Sequence, residues 1–583
     1  MTLKPRLVLL AVVVGLAALL ATHSEAQTRA KSDFEKVVDR YYDNSFAANP
    51  IMATMAGVHD KDHLLPDMSK DAYAKRVVQI SDDASEIESL FNTLDLKLKP
   101  EQMSDIELLL AAMRAELQDI EVLKSHTTNP VTYLGKPAEG IDLLMKRTFA
   151  PPAERLKSVI GRLKMSPAIL TAMKANIVNP PKEFADLGLI VAKGSVGFFK
   201  TDLPLWAKTA AGYDAKLLAE FEAANTPVIA AFEDAAKWVE TDLLPRAKGN
   251  YAIGADAFLK KLQYEEMLDI PLDKLLAIGE ANLKKDQELF IATAKKIDPT
   301  KTPAQVLAML TDDHPKPDDL VGFTRGTIER TRQFIIDKKI ISVPTDVRPT
   351  VLETPPFMRT GGFASMDSPG PFETKATEAF YYVTPPEKEW DSLRKVEHMR
   401  QFNATGMDII TIHEAFPGHY MQFVFAKDFP TKARKMTGCG TNVEGWAHYC
   451  EQMLIEEGYG NNDPKMLLAQ LNEALLRDCR YIVGIKLHTA GWTVEQGKQF
   501  FIKEGYIEPE TAFQEARRGT YNPTYLYYTL GKLQIYKLRE DYKKLKGADY
   551  SLQKFHDEFI KQGGIPIKLI RGIMLPGDTG PSL

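Results

Sequence analysis

Apolar residues recur three and four positions apart through most of this chain, and that spacing commits it to amphipathic helices. The segments D-I-E-L-L-L-A-A-M-R-A-E-L-Q-D-I-E-V-L (105–123) and L-L-A-I-G-E-A-N-L-K-K-D-Q-E-L-F-I-A-T-A (275–294) are two long examples. Breaks fall at Asn129-Pro130, Pro151-Pro152, Asn179-Pro180-Pro181 and His314-Pro315, where proline ends one helix or opens the next. The pattern predicts a mainly α protein, a stack of helices with short connections. At 583 residues the chain exceeds one ordinary core, which predicts two lobes or one large elongated helical body.

One region departs from the helical pattern. From Val343 to Pro386 the chain is rich in Pro, Gly, Thr and aromatic residues, as in A-F-Y-Y-V-T-P-P. Its alternation predicts a small antiparallel β ribbon, whose edge strand could pair with an extended peptide. The run G-G-F-A-S (361–365) lacks the Lys-Ser/Thr of a phosphate loop and reads as a flexible loop over a cleft.

The N-terminus reads as a targeting segment. Lys4 and Arg6 precede the apolar run Leu7 to Ala21, and Ser24-Glu25-Ala26 places small residues where a signal peptidase cuts. The run is short for a membrane span, so residues 1–26 are expected to be a cleaved signal peptide, with a retained anchor as the alternative. The first Cys is Cys439, which leaves a lipoprotein anchor no attachment point near the run. The expectation is an exported protein, periplasmic or secreted, with no membrane contact after cleavage. Net charge is −5 with both signs interspersed and no basic block, so nucleic acid is not an expected partner. Cys439, Cys450 and Cys479 allow at most one disulfide and do not space as a Cys-rich zinc site.

The chemistry-bearing stretch is T-I-H-E-A-F-P-G-H-Y-M-Q (411–422). Hydrolytic zinc takes three protein ligands from His and carboxylates and keeps one position open for water. His413 and His419 could supply two, and Glu414 is placed as general base for the activated water. On a regular helix a spacing of six turns the second His about 240° from the first, so the imidazoles would not meet. Pro417 and Gly418 offer a way out, because Pro breaks the backbone ladder and Gly tolerates unusual torsions. The helix is therefore expected to bulge or widen between Glu414 and His419. Downstream, N-V-E-G-W-A-H-Y-C-E (442–451) puts Glu444 far enough on to return on a second helix as third ligand. His448 is either a support residue or a helix-face residue, and Glu451 either orients a ligand His or is a solvated charge. Arg477 and Arg480 could bind a peptide carboxylate or serve as structural ion-pair partners.

Taken together, H-E-A-F-P-G-H-Y-M-Q and V-E-G-W-A-H-Y-C-E resemble the bacterial family catalogued as domain of unknown function number 885. The likeness extends to A-A-N-P-I-M-A-T-M-A-G-V-H-D (47–60) and R-L-K-M-S-P-A-I-L-T-A-M-K-A-N-I-V-N-P-P (162–181), and so to nearly the whole mature chain. It implies an elongated, helical, zincin-like metallopeptidase body with a deep cleft, distantly similar to oligopeptidases and angiotensin-converting carboxypeptidases. It supports Glu444 as a ligand and implies a Tyr, and often a His, holding the oxyanion. The family's P-G-Q-A-x-x-Y-x-x-G segment resembles residues around N-P-T-Y-L-Y-Y-T-L-G, which makes Tyr528 the matching tyrosine, with Tyr521, Tyr525 and Tyr527 as competitors. His488 fits the family's Asp-x-x-x-His pattern at the His. Two departures stand out: Thr524-Tyr525 where the family tends to have Gly-Gln, and Gly484 where an Asp is usual.

The expected protein has a signal peptide (1–26), a helical N-terminal lobe (27–340) and a catalytic lobe (341–583). One Zn²⁺ is expected on His413, His419 and Glu444, with Glu414, Tyr528 and His488 in catalysis on short peptides, as an oligo- or exopeptidase with the carboxypeptidase type among the forms considered. Co²⁺ or Mn²⁺ suits the same ligands. A hydrolase of non-peptide amides or esters, and a non-catalytic helical binding protein, are the rival readings.

Overall fold

Proline opens or separates many of the helices, although Pro167 and Pro227 lie inside Pro152–Asn176 and Ala215–Trp238. The computed structural model describes residues 34–93, 100–359, 362–578 and 580–583; the segment read as a signal peptide lies outside them. Asn129-Pro130 separates helices Ser125–Thr128 and Val131–Leu134, and Pro152 and Lys182 open long helices directly after Pro151 and Pro181. Proline's missing N–H costs nothing in a first helical turn, and its fixed φ suits that position. The apolar run at 275–294 lies in a helix spanning Leu272–Ile297, and the run at 105–123 continues Pro100–Leu117 through a wider turn to Leu123.

The elements that build the site are α1 (Ala255–Glu266), α2 (Leu272–Ile297), β1 (Thr350–Glu353), β2 (Ala364–Asp367), β3 (Phe380–Val383), α3 (Gly406–Glu414), α4 (His419–Phe425), α5 (Gly440–Glu456), α6 (Pro464–Thr489), α7 (Pro509–Tyr521) and α8 (Tyr527–Lys546). The three strands form one sheet in the order β1-β3-β2. β2 runs antiparallel to β3, pairing Ala364 with Val383 and Asp367 with Phe380, as a ribbon requires. β1 runs parallel to β3, so the sheet is mixed and not the purely antiparallel ribbon expected. A parallel pair needs a long crossover, and the chain between β1 and β3 supplies it by carrying β2. β3 is buried at all four residues, while β2 lies at the sheet edge.

Three apolar clusters make the core, and each draws residues from both sides of residue 340. All three cysteines are buried free thiols, so no disulfide forms. No described helix is long and apolar enough to cross a membrane.

α5 is held at both of its faces. Its N-cap residue, Cys439, offers no side-chain cap. Glu266 at the end of α1 does so instead, accepting from Gly440 N at 2.8 Å, Thr441 N at 2.9 Å and Thr441 Oγ1 at 2.6 Å. A carboxylate there satisfies the free N–H groups and complements the positive end of the helix. Along its length α5 packs against α8 with the backbones nearly touching. A Cβ on Gly445 would fall 2.5 Å from Gly531 Cα, and one on Gly531 would fall 1.9 Å from Thr441 O. That contact sets Glu444, beside Gly445, against Tyr528, one turn before Gly531. Gly531→Ala must push the two helices apart, and overpacking of this kind costs about 1–3 kcal/mol. A lowered thermal midpoint by calorimetry is the expected result.

Candidate functional site

The six-residue spacing is resolved by a break in the helix. α3 ends at Glu414, Ala415 takes φ −112° and ψ −82°, and α4 starts afresh at His419. The Phe416-Pro417 peptide is cis. The expected bulge within a continuous helix is thus replaced by two helices joined by a turn. Gly418 N donates back to Ile412 O at 3.0 Å, and a Cβ on Gly418 would lie 1.8 Å from His413 O, so only glycine fits. The indole of Trp446 on α5 donates to Pro417 O at 2.9 Å and ties the turn to the facing helix.

The result brings His413, His419 and Glu444 together. Their donor atoms all lie within 4.8 Å of one another, and Glu444 Oε2 is 3.3 Å from Nε2 of each histidine. Ligands about 2.0–2.1 Å from one tetrahedral ion stand about 3.3 Å apart, which the two Glu444–His separations match, while donors as far as 4.8 Å apart must draw together to share one ion. Glu444 Oε2 is buried and makes no well-aligned hydrogen bond with either ring. A buried carboxylate oxygen flanked by two ring nitrogens that do not donate to it is what a cation would satisfy. Burial opposes its charge, yet His419 and His413 hold the Glu444 carboxyl well below the usual glutamate range.

Glu451, two turns after Glu444 on the same face of α5, is fully buried and not a solvated charge. It accepts from His413 Nδ1 at 2.6 Å and from His448 Nδ1 at 2.9 Å, and Arg477 Nη2 lies 3.2 Å away. With Nδ1 donating to Glu451, a neutral His413 turns its Nε2 lone pair toward Glu444 and His419, although against burial Glu444 and Glu451 raise the His413 pKa to about 9. Although burial opposes ionisation, Arg477, His448 and His413 keep Glu451 a carboxylate. His448 is therefore a partner of Glu451, kept neutral by burial, with its pKa pushed down to about 3.

His413, His419 and Glu444 line a cleft of about 640 Å³, together with Glu414, Tyr528, Ala364 to Met366 of β2, Arg477, Arg480 and Arg518, while Glu451 and His448 lie behind its wall. Burial lifts the Glu414 carboxyl above the ordinary glutamate range against the pull of His419 and His413, and its Oε2 has no hydrogen-bond partner. Tyr528 stacks 6.2 Å from the His413 ring, and Arg518 Nη2 donates to its hydroxyl at 2.9 Å. Since that bond uses a phenol lone pair, the O–H proton is left for the cleft. Of the competing tyrosines, Tyr521 also reaches the cleft, Tyr527 accepts from Asn522 on the side of a second cavity, and Tyr525 is core. The run read as a loop over the cleft, G-G-F-A-S, is in part strand: Ala364–Asp367 is β2, and Gly362 to Met366 form a cleft wall.

The structure does not bring His488 to this site. It lines the neighbouring cavity of about 700 Å³, which shares only Tyr521 and Asn522 with the cleft, and it bonds Gly519 O at 2.7 Å through Nε2. Its two sequence departures are one packing unit elsewhere: the buried Tyr525 ring lies where a Cβ on Gly484 would fall, 2.7 Å away. Sequence reasoning missed Arg518 and Glu515. The signal was present in E-A-R-R-G-T-Y, where Glu515, Arg518 and Tyr521 recur at intervals of three along one helix face.

The family model for a bacterial protein of unknown function (DUF885) matches residues 50–574. A solved structure described as a candidate lipoprotein of unknown function from Shewanella oneidensis is similar at 27% identity and TM-score 0.74, over 93% of this chain and 99% of its own. A second, a candidate lipoprotein from Colwellia psychrerythraea, is 17% identical with TM-score 0.79, over 94% and 98% of the two chains. No curated protein matches.

Two expectations follow. Glu451→Leu removes the acceptor that orients His413, which Glu451→Gln would keep as a neutral carbonyl, and should weaken binding of added Zn²⁺ about 10–100-fold in chelator competition. Burial pushes the His488 pKa down from 6.5 to about 4, so the unfolded chain binds the extra proton between those values. Stability is therefore lost as pH falls from 6.5 to 4, and His488→Gln should flatten that part of a denaturation–pH curve by up to about 3 kcal/mol.

Proposed function

This chain belongs to the DUF885 family of bacterial proteins, and we propose that it is a zinc-dependent metallopeptidase that hydrolyses short peptides. The observation that carries the reading is the convergence of two imidazole nitrogens and one carboxylate oxygen beside a buried, unpaired glutamate. Two His and one Glu are a hydrolytic donor set, and His413, His419 and Glu444 would hold the ion. Zinc supplies Lewis acidity there, acidifying a water and polarising the substrate carbonyl.

The chain's own groups do the rest. Glu414 takes the proton of the attacking water and passes it to the leaving amine, a role that its raised pKa favours. Burial keeps the Tyr528 phenol protonated, and its O–H is aimed at the oxygen on which charge develops. β2 offers an edge along the cleft to which an extended peptide adds by main-chain hydrogen bonds, which favours peptides over other amides and esters. A cleft of this size admits a peptide and excludes a folded protein. Export belongs to the same proposal, supported by the apolar segment Leu7–Ala21 and by the candidate-lipoprotein descriptions of both structural relatives.

Digestion of a peptide library, read by mass spectrometry, tests the proposal. The purified protein should carry one zinc and lose activity with a chelator. Glu414→Gln should lower kcat about 10²–10⁴-fold with zinc retained. Tyr528→Phe should lower it about 10²–10³-fold. Absence of bound zinc, or unchanged turnover by Glu414→Gln, would remove the reading.

A further inference from the structure

Three guanidinium groups stand on one wall of the cleft, from Arg477 and Arg480 on α6 and Arg518 on α7. The protein neutralises two of them. Arg477 lies between Glu473 and Glu451, and Arg480 makes a forked pair with Glu515 at 2.6 and 2.8 Å. Arg518 is different. Its hydrogen bond goes to the Tyr528 hydroxyl, and among the described residues no carboxylate lies within 4.0 Å of it. It is half-buried, so its remaining N–H groups face the cleft with limited access to water. A partly desolvated cation with vacant donors is completed by an incoming anion, and the planar fork matches a carboxylate.

We propose that Arg518 captures the C-terminal carboxylate of the substrate, which makes the enzyme a carboxypeptidase releasing one residue per turnover. The inference rests on the metallopeptidase reading above and names its substrate class. The placement follows from Tyr528, whose hydroxyl is shared between Arg518 and the carbonyl under attack. One residue spans at most about 3.5 Å, so the carboxylate that reaches Arg518 belongs to the residue just after the scissile bond. Water adds across that amide bond. The acyl carbon gains the hydroxyl, the C–N bond breaks, the amine leaves with the proton carried by Glu414, and the products are a shortened peptide and a free amino acid. Arg477 and Arg480, the arginines first considered for this role, are already committed to Glu451, Glu473 and Glu515.

The test compares three matched peptides on the zinc-loaded enzyme: a free acid, its C-terminal amide, and an amide ending in Asp or Glu. In the wild type, amidation should lower kcat/KM about 10–100-fold, the usual worth of a charge-assisted hydrogen bond. Arg518→Met should bring the acid-to-amide ratio close to one, and Arg518→Lys should restore part of it. Loss of support for Tyr528 would slow both peptides equally and leave the ratio intact, so an unchanged ratio in Arg518→Met overturns the proposal. Rapid cleavage of the acidic amide overturns it too, because the cation would then be reading a side chain. Calorimetric binding of the same peptides to Glu414→Gln, with and without Arg518→Met, reports carboxylate capture without turnover. A preference for the free acid that Arg518→Met removes supports capture even where no peptide is cleaved, an outcome that would overturn the peptidase reading alone.

Discussion

The buried Glu451 carboxylate is the interaction on which the site depends. An ionised carboxylate at zero exposure costs on the order of several kcal/mol unless donors surround it. Donors come from three helices: His413 from α3, His448 from α5 itself and Arg477 from α6. Their assembly around one charge fixes the ring plane and tautomer of His413. The orientation of the nitrogen facing Glu444 and His419 is thereby tied to the packing of the surrounding helices. Trp446 and the Gly445–Gly531 contact act on the same helix, the first by anchoring the turn before His419, the second by bringing Tyr528 alongside.

The turn between α3 and α4 answers a geometric problem that a continuous helix leaves unsolved. Residues four apart share a helix face, whereas residues six apart lie well around the cylinder. Ending one helix at Glu414 and starting another at His419 resets the phase, so the two rings meet with centroids 4.8 Å apart. Glu414 gains from the same arrangement. As the last residue of α3 it projects beside the histidines without competing for their position.

Polar residues on otherwise apolar helices mark the cleft. α6 carries Glu473, Arg477 and Arg480 on one face, and α7 carries Glu515, Arg518 and Tyr521. Most of these charges cancel in pairs, which keeps a half-buried wall tolerable. Arg518, with no carboxylate within 4.0 Å among the described residues, stands beside Tyr528.

Much of this was legible in the chain. Helical periodicity and proline punctuation placed the helices because both act over a few neighbouring residues. The types and order of His413, Glu414, His419 and Glu444 pointed to a metal-type cluster because so few residue sets suit that chemistry. Local rules could not reach the parallel pairing of β1 with β3, which depends on a crossover of the intervening chain. Nor could they place His488 in the neighbouring cavity: helical spacing tells which face of α6 a residue occupies, not what packs against that face. The difference between Arg518 and its two neighbours is likewise invisible in sequence. Whether a guanidinium is neutralised or open depends on carboxylates brought in from other helices, and only the tertiary structure decides which of them arrive.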